Sequence, residues 1–160
     1  MTSDLVGASV WEQELYDYLR RHVQKEEEIL EEYRREAETS ESKAFRYLVG
    51  LILEEERRHH ERFVELAESL RASVTWESEP PVPRLAQWGP LPERVVEATE
   101  HLLAEERADA RELRQLEQRL KIVKDTTLWQ LLVRLMEADT DKHITVLQFV
   151  REHARHPERF

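Results

Sequence analysis

The stretch Leu48-Val49-Gly50-Leu51-Ile52-Leu53-Glu54-Glu55-Glu56-Arg57-Arg58-His59-His60-Glu61-Arg62-Phe63 constrains the chain more than any other. Read at helical period, its core stripe is Leu48, Ile52, Glu55, His59, Phe63, Leu66 and Leu70. Two ionisable groups therefore stand where the pattern calls for apolar side chains. Burying charge is costly unless the charge is paired or bound to metal. The stretch also recurs. With His143 set on His59, Leu132-Val133 falls on Leu48-Val49, Leu135-Met136 on Leu51-Ile52, Lys142 on Arg58 and Leu147 on Phe63. Asp139 then falls on Glu55. A carboxylate four residues before a histidine occupies the stripe in both copies, and that spacing puts both groups on one helix face.

Composition agrees with long helices. In 160 residues, 36% are charged and only three are glycine. The length fits one domain with a sizeable core. A net charge of -10 argues against nucleic acid or an anionic membrane as partner. The absence of cysteine excludes disulfides, thiolate catalysis and iron–sulfur clusters. No apolar run approaches the roughly 20 residues that span a bilayer. The start Met1-Thr2-Ser3-Asp4 lacks the basic residues of a secretory signal, so the expectation is a soluble cytoplasmic protein.

Four helices are expected, at about 9–39, 43–72, 92–121 and 126–154. The first carries Leu15, Leu19, Val23, Glu26, Leu30, Tyr33 and Ala37 on its stripe. The third carries Val95, Thr99, Leu103, Glu106, Ala110 and Leu113, continued by Leu116 and Leu120. Each is again broken by one glutamate. Ser40 or Ser42 is available to cap the second helix, Pro92 fits the first turn of the third, and Asp125 suits the cap of the fourth. Between the second and third, residues 73–91 hold Pro80, Pro81, Pro83 and Pro90 and cannot be helical throughout. A crossover along a bundle gives so long a loop its reason, with Trp76 and Trp88 as packing residues. Two hairpins joined by one strap describe an all-α, four-helix bundle with a single crossover.

Counted from the adjoining turn, Glu26 and Glu55 lie at similar heights in the first hairpin, and Glu106 and Asp139 in the second. Four carboxylates and two neutral imidazoles carry about four negative charges, which two divalent cations would neutralise.

At these residues the chain resembles the ferritin-like superfamily, and within it the rubrerythrin-like di-iron carboxylate proteins. That pattern is a Glu on helices one and three and a Glu-x-x-His on helices two and four. Glu56-Arg57-Arg58-His59 matches on helix two, Glu26 followed by Tyr33 on helix one, and Glu106 on helix three. Helix four departs, because Thr140 stands three before His143, so that Asp139 or Asp141 would have to substitute. The resemblance implies a ferritin-like bundle holding two iron ions, or manganese, on Glu26, Glu55, Glu56, His59, Glu106, Asp139 and His143. It further implies an oxidoreductase reacting with O2 or peroxide. On this pattern His59→Ala should cost more bound metal than His143→Ala.

Other chemistries have less support. Glu55, Glu56 and His59 could be a solvated charged face, Asp139 and His143 a structural pair, and Glu27 or Glu105 could replace Glu26 or Glu106. A hemerythrin-like site leans on a His-x-x-x-His pair, which the seven histidines do not contain. Phosphate-cradling loops need glycines this chain lacks. Two functions remain: a metal-binding carboxylate protein, or a metal-free bundle serving as a structural or protein-interaction module. Trp11, Tyr16 and Tyr18 could supply a homodimer face.

Overall fold

The computed structural model describes residues 5, 7–75, 79–83, 91–124 and 127–155, with only the backbone of Glu26 and Arg155. It consists of four helices, α1 (Val10–Thr39), α2 (Lys43–Thr75), α3 (Glu93–Leu120) and α4 (Thr127–Arg155), and the described residues contain no strand. The chain divides into two compact units, Met1–Arg84 and Leu85–Phe160. Each is an antiparallel helical hairpin, α1 on α2 and α3 on α4.

The ends of the helices follow local chemistry. Ahead of α1, Gly7 has φ +93°, a conformation that costs glycine nothing, and the turn it makes leaves Leu5 buried. Ser9 donates from its N–H and its hydroxyl to Glu12 Oε2, at 2.7 and 2.6 Å. Between α1 and α2 the choice of cap falls to Ser42, whose hydroxyl accepts the Phe45 N–H at 3.2 Å. Ser40 instead closes α1, donating its N–H to the carbonyls of Glu36 and Ala37. Pro92 sits one position earlier than expected, as the N-cap of α3, and its carbonyl accepts from Val95. The C-terminal end of α3 is closed from across the turn, where Gln130 donates to the Leu120 carbonyl at 3.2 Å. Asp125, Trp76 and Trp88 lie outside the described residues.

The break after α2 starts later than its composition suggests, since α2 continues to Thr75. Of the proline-rich strap, residues 79–83 are irregular. Val82 donates its N–H to Ser69 Oγ at 2.8 Å, and Ser69 in turn donates to the Glu65 carbonyl. A serine on α2 thus ties the strap down.

In the first hairpin Leu19 and Val23 of α1 share a cleft with Phe63, Val64 and Ala67 of α2, and His22 meets the edge of the Phe63 ring at 4.5 Å. The expected α1 stripe is buried at Leu19 and Ala37 and half-buried at Val23 and Leu30. Leu15 and Tyr33, on the same stripe, are exposed. On α2 the expected stripe is half-buried at Leu48, Glu55, Phe63 and Leu70 and exposed at Ile52, His59 and Leu66, while the fully buried Val49 and Ala67 each lie one residue after a stripe position.

The second hairpin repeats this. On α3 the expected Thr99, Leu103 and Ala110 are buried. On α4 the buried positions are Val133, Thr140 and His153, the first two one residue after Leu132 and Asp139, while Leu135 and Val146 are exposed. Side-chain contacts mark the antiparallel register. Going back along α3 and forward along α4, Glu117 meets Arg134, Arg114 meets Glu137, Glu106 meets His143 and Glu100 meets Arg151.

Glu117 is the most buried of these acids, 9% exposed, with Oε1 2.5 Å from Arg134 Nε and 3.8 Å from Lys121 Nζ. The Arg134 hydrogen bond holds its carboxyl below the ordinary value of 4.5, partial burial opposing. A lowered carboxylate stabilises the fold above its unfolded value, and that stabilisation is lost as pH falls through the folded one. Glu117→Gln is therefore expected to lower Tm near neutral pH, with the difference from wild type closing in acid below 4.5. Thermal unfolding across pH checks this, and a difference that persists in acid would assign the loss to packing.

Candidate metal centre

His59 and His143 occupy equivalent places in the repeat, and each has a carboxylate oxygen 3.2 Å from its Nδ1. The carboxylates are not equivalent. His59 pairs with Glu56, one turn earlier on the same helix. His143 pairs with Glu106, across the hairpin on α3. The break in the repeat accounts for the difference, because Thr140 stands on α4 where Glu56 stands on α2. Thr140 is also buried, 8% exposed, a position that a short neutral side chain occupies without the cost of an unpaired charge.

The in-helix substitute expected for that missing glutamate is otherwise engaged. Asp139 Oδ1 lies 2.9 Å from Lys142 Nζ, three residues on. Asp141 is turned toward Arg114, at 4.0 Å. On α2 the Glu55 carboxylate is 3.1 Å from Arg58, which also holds Glu54 at 2.9 Å. At Glu55 and Asp139 one carboxylate oxygen already lies beside a basic side chain. Glu26 lies within α1, and its side chain is outside the described residues.

Exposure separates acids from imidazoles. The Glu106 side chain is 17% exposed and Glu56 28%, whereas His59 and His143 are 54% and 61% exposed. In each pair the acid is held against the helices and the ring reaches outward. Beside His143 a groove of about 660 Å3 runs between α3 and α4, floored by Leu113, Leu116, Met136 and Thr140. Asp109, Glu112 and Asp139 stand along it.

The spacing of each pair fits both a hydrogen bond and a shared cation. Two donors about 2.1 Å from one ion, at right angles to each other, are about 3.0 Å apart. A pair supplies two ligands, and the described residues contain no group of three or more His, Asp or Glu placed to hold an ion. The sequence named all four residues of these pairs but matched His143 with Asp139. The signal for the true partner was the position of Glu106 on the α3 stripe at the height of His143. The sequence reading missed Glu117 altogether, because a glutamate next to Leu116 reads as the solvated neighbour of a core residue.

Comparison with protein-family models, with curated proteins and with solved structures finds no match to the chain. No helix among the described residues is long and apolar enough to cross a membrane.

Proposed function

We propose that this protein binds divalent iron or manganese through Glu56 with His59 and Glu106 with His143, in the manner of the ferritin-like carboxylate proteins it resembles. One observation carries the reading: in each hairpin the equivalently placed histidine has a carboxylate oxygen 3.2 Å from its Nδ1, supplied by the same helix at His59 and by the opposite helix at His143. The single-crossover ferritin-like bundle belongs to the same proposal, with Glu26, Glu55 and Asp139 as further candidate ligands. Carboxylate oxygens and imidazole nitrogen suit iron and manganese, and exchangeable positions on such an ion supply reactivity toward O2 or peroxide when it is bound.

Titration of the metal-free protein with Fe(II) under anaerobic conditions, followed by calorimetry, tests the proposal. Saturable binding is expected, weakened at least about tenfold at the affected site by His59→Ala or His143→Ala. Because each ring has a carboxylate at the same distance, the two losses should be comparable. A much larger loss for His59→Ala would restore the order drawn from the sequence motif alone. Absence of binding heat would overturn the metal reading.

One observation favours a second reading. Ile52, Leu66, Met136 and Val146 are large apolar side chains exposed on α2 and α4, beside the same histidines. A metal-free bundle acting as a structural or interaction module uses such rows to meet another protein. Wild-type protein that binds no metal is the result this reading expects.

A further inference from the structure

We infer that α1 is the contact face of a symmetric dimer, in which the α1 helices of two copies of this chain lie antiparallel with His22 at the two-fold axis. Helix α1 carries a second apolar row besides its packed one. Trp11, Leu15, Tyr18, Ile29 and Tyr33 are 41–62% exposed. At 3.6 residues per turn they share with His22 an arc of about 60°, roughly 70° around the helix from the buried Leu19 and Ala37. His22 is half-buried at the middle of the row, its ring 5.8 Å from that of Tyr18 and 4.5 Å from that of Phe63 on α2. Of the three aromatic residues that the sequence offers for a homodimer face, Tyr16 is not on this row. It is half-buried, with the Arg20 guanidinium 5.7 Å over its ring.

The row is symmetric about its own middle. Trp11 and Tyr33 each stand eleven residues from His22, and Leu15 and Ile29 each stand seven. A two-fold contact requires that where residue i of one copy meets residue j of the other, j also meets i. With two α1 helices antiparallel about His22, Trp11 meets Tyr33 of the other copy, Leu15 meets Ile29, and the Tyr18 ring comes beside the Lys25 ammonium. An unlike partner makes no such demand on the spacing, so the spacing points to a second copy. The area is also sufficient. Side chains so exposed offer about 500 Å2 from each copy, most of it from aromatic rings of about 150–250 Å2 each. A standard interface takes about 800 Å2 from each side, apolar at its centre and polar at its rim. Arg21, Lys25 and Glu32, exposed along the edge of the row, supply a rim. Each copy carries a net charge of -10, a repulsion that salt at about 0.15 M screens beyond about 8 Å. The pairing uses no metal and holds whether or not the chain binds one.

Sedimentation equilibrium of the full chain across micromolar concentrations should give a mass approaching twice 19.2 kDa. Ile29→Glu, an exposed position that the two-fold counts twice, should raise the dimer Kd at least about tenfold and leave the helical circular dichroism unchanged. Single cysteines then read the geometry, because the chain has none of its own. His22→Cys should cross-link to itself through a short thiol reagent. Trp11→Cys alone should not, since two copies of residue 11 stand about 33 Å apart along antiparallel helices. Mixed with Tyr33→Cys, it should. Trp11 and Tyr33 are exposed, so this pair reports the geometry even where His22→Cys disturbs the Phe63 contact. A monomer at every concentration would overturn the dimer and leave the row to an occupant other than a second copy. A dimer indifferent to Ile29→Glu would overturn it too, as would one in which Trp11→Cys cross-links to itself and not to Tyr33→Cys.

Discussion

Leu103→Ala should destabilise the protein by about 2–5 kcal/mol, the largest effect expected of any single core truncation here. Leu103 is 1% exposed, and with Leu5 it is among the most completely buried large side chains. It lies on the α3 stripe between Thr99 and Ala110, both buried and both too small to fill the space it would leave. How far α3 and α4 relax onto the cavity sets where in that range the cost falls. Urea unfolding followed by circular dichroism measures it. A loss below about 1 kcal/mol would mean that the hairpin rearranges around the gap. Leu116→Ala, on the same helix but exposed, is the control and should cost far less.

Thr140→Glu should have opposite effects without and with metal. The sequence motif alone suggests a modest cost, since the change restores Glu-x-x-His on helix four. The burial of Thr140 revises that expectation. A carboxylate placed there without a partner should destabilise the metal-free protein by of order 3 kcal/mol. The same carboxylate, three residues before His143, would add a third ligand beside Glu106. Mn(II) should then raise the Tm of the variant by more than it raises that of wild type, and calorimetry should show tighter binding. Thermal unfolding at matched Mn(II) concentrations compares the two. A variant that is destabilised and gains nothing from metal would show that the new side chain does not reach the ion. A variant as stable as wild type without metal would show that the position tolerates charge, and burial would not then explain why threonine stands there.

The chain by itself determined four helices, their short turns and the proline-rich break between α2 and α3, because each depends on neighbours within a few residues. Periodicity, caps and the conformational limits of proline act at that range. It also determined the buried parts of α1 and α3, where Leu19, Ala37, Leu103 and Ala110 fell on the expected stripes.

On α2 and α4 the choice was left to tertiary structure. There two apolar rows run side by side, Leu48 with Val49, Leu66 with Ala67, Leu132 with Val133 and Val146 with Leu147. A helix buries an arc of about 100°, and either row lies within it. Among the fully buried positions are Val49, Ala67, Val133 and Thr140, each one residue after the expected stripe. The partner of His143 was beyond local reading for a related reason. Sequence spacing brings Asp139 onto the face of His143, but it also brings Lys142 onto the face of Asp139, and the Lys142 Nζ lies 2.9 Å from Asp139 Oδ1. Glu106 then meets the ring from across the hairpin, a contact between residues far apart in the chain that only the antiparallel register of α3 and α4 brings together.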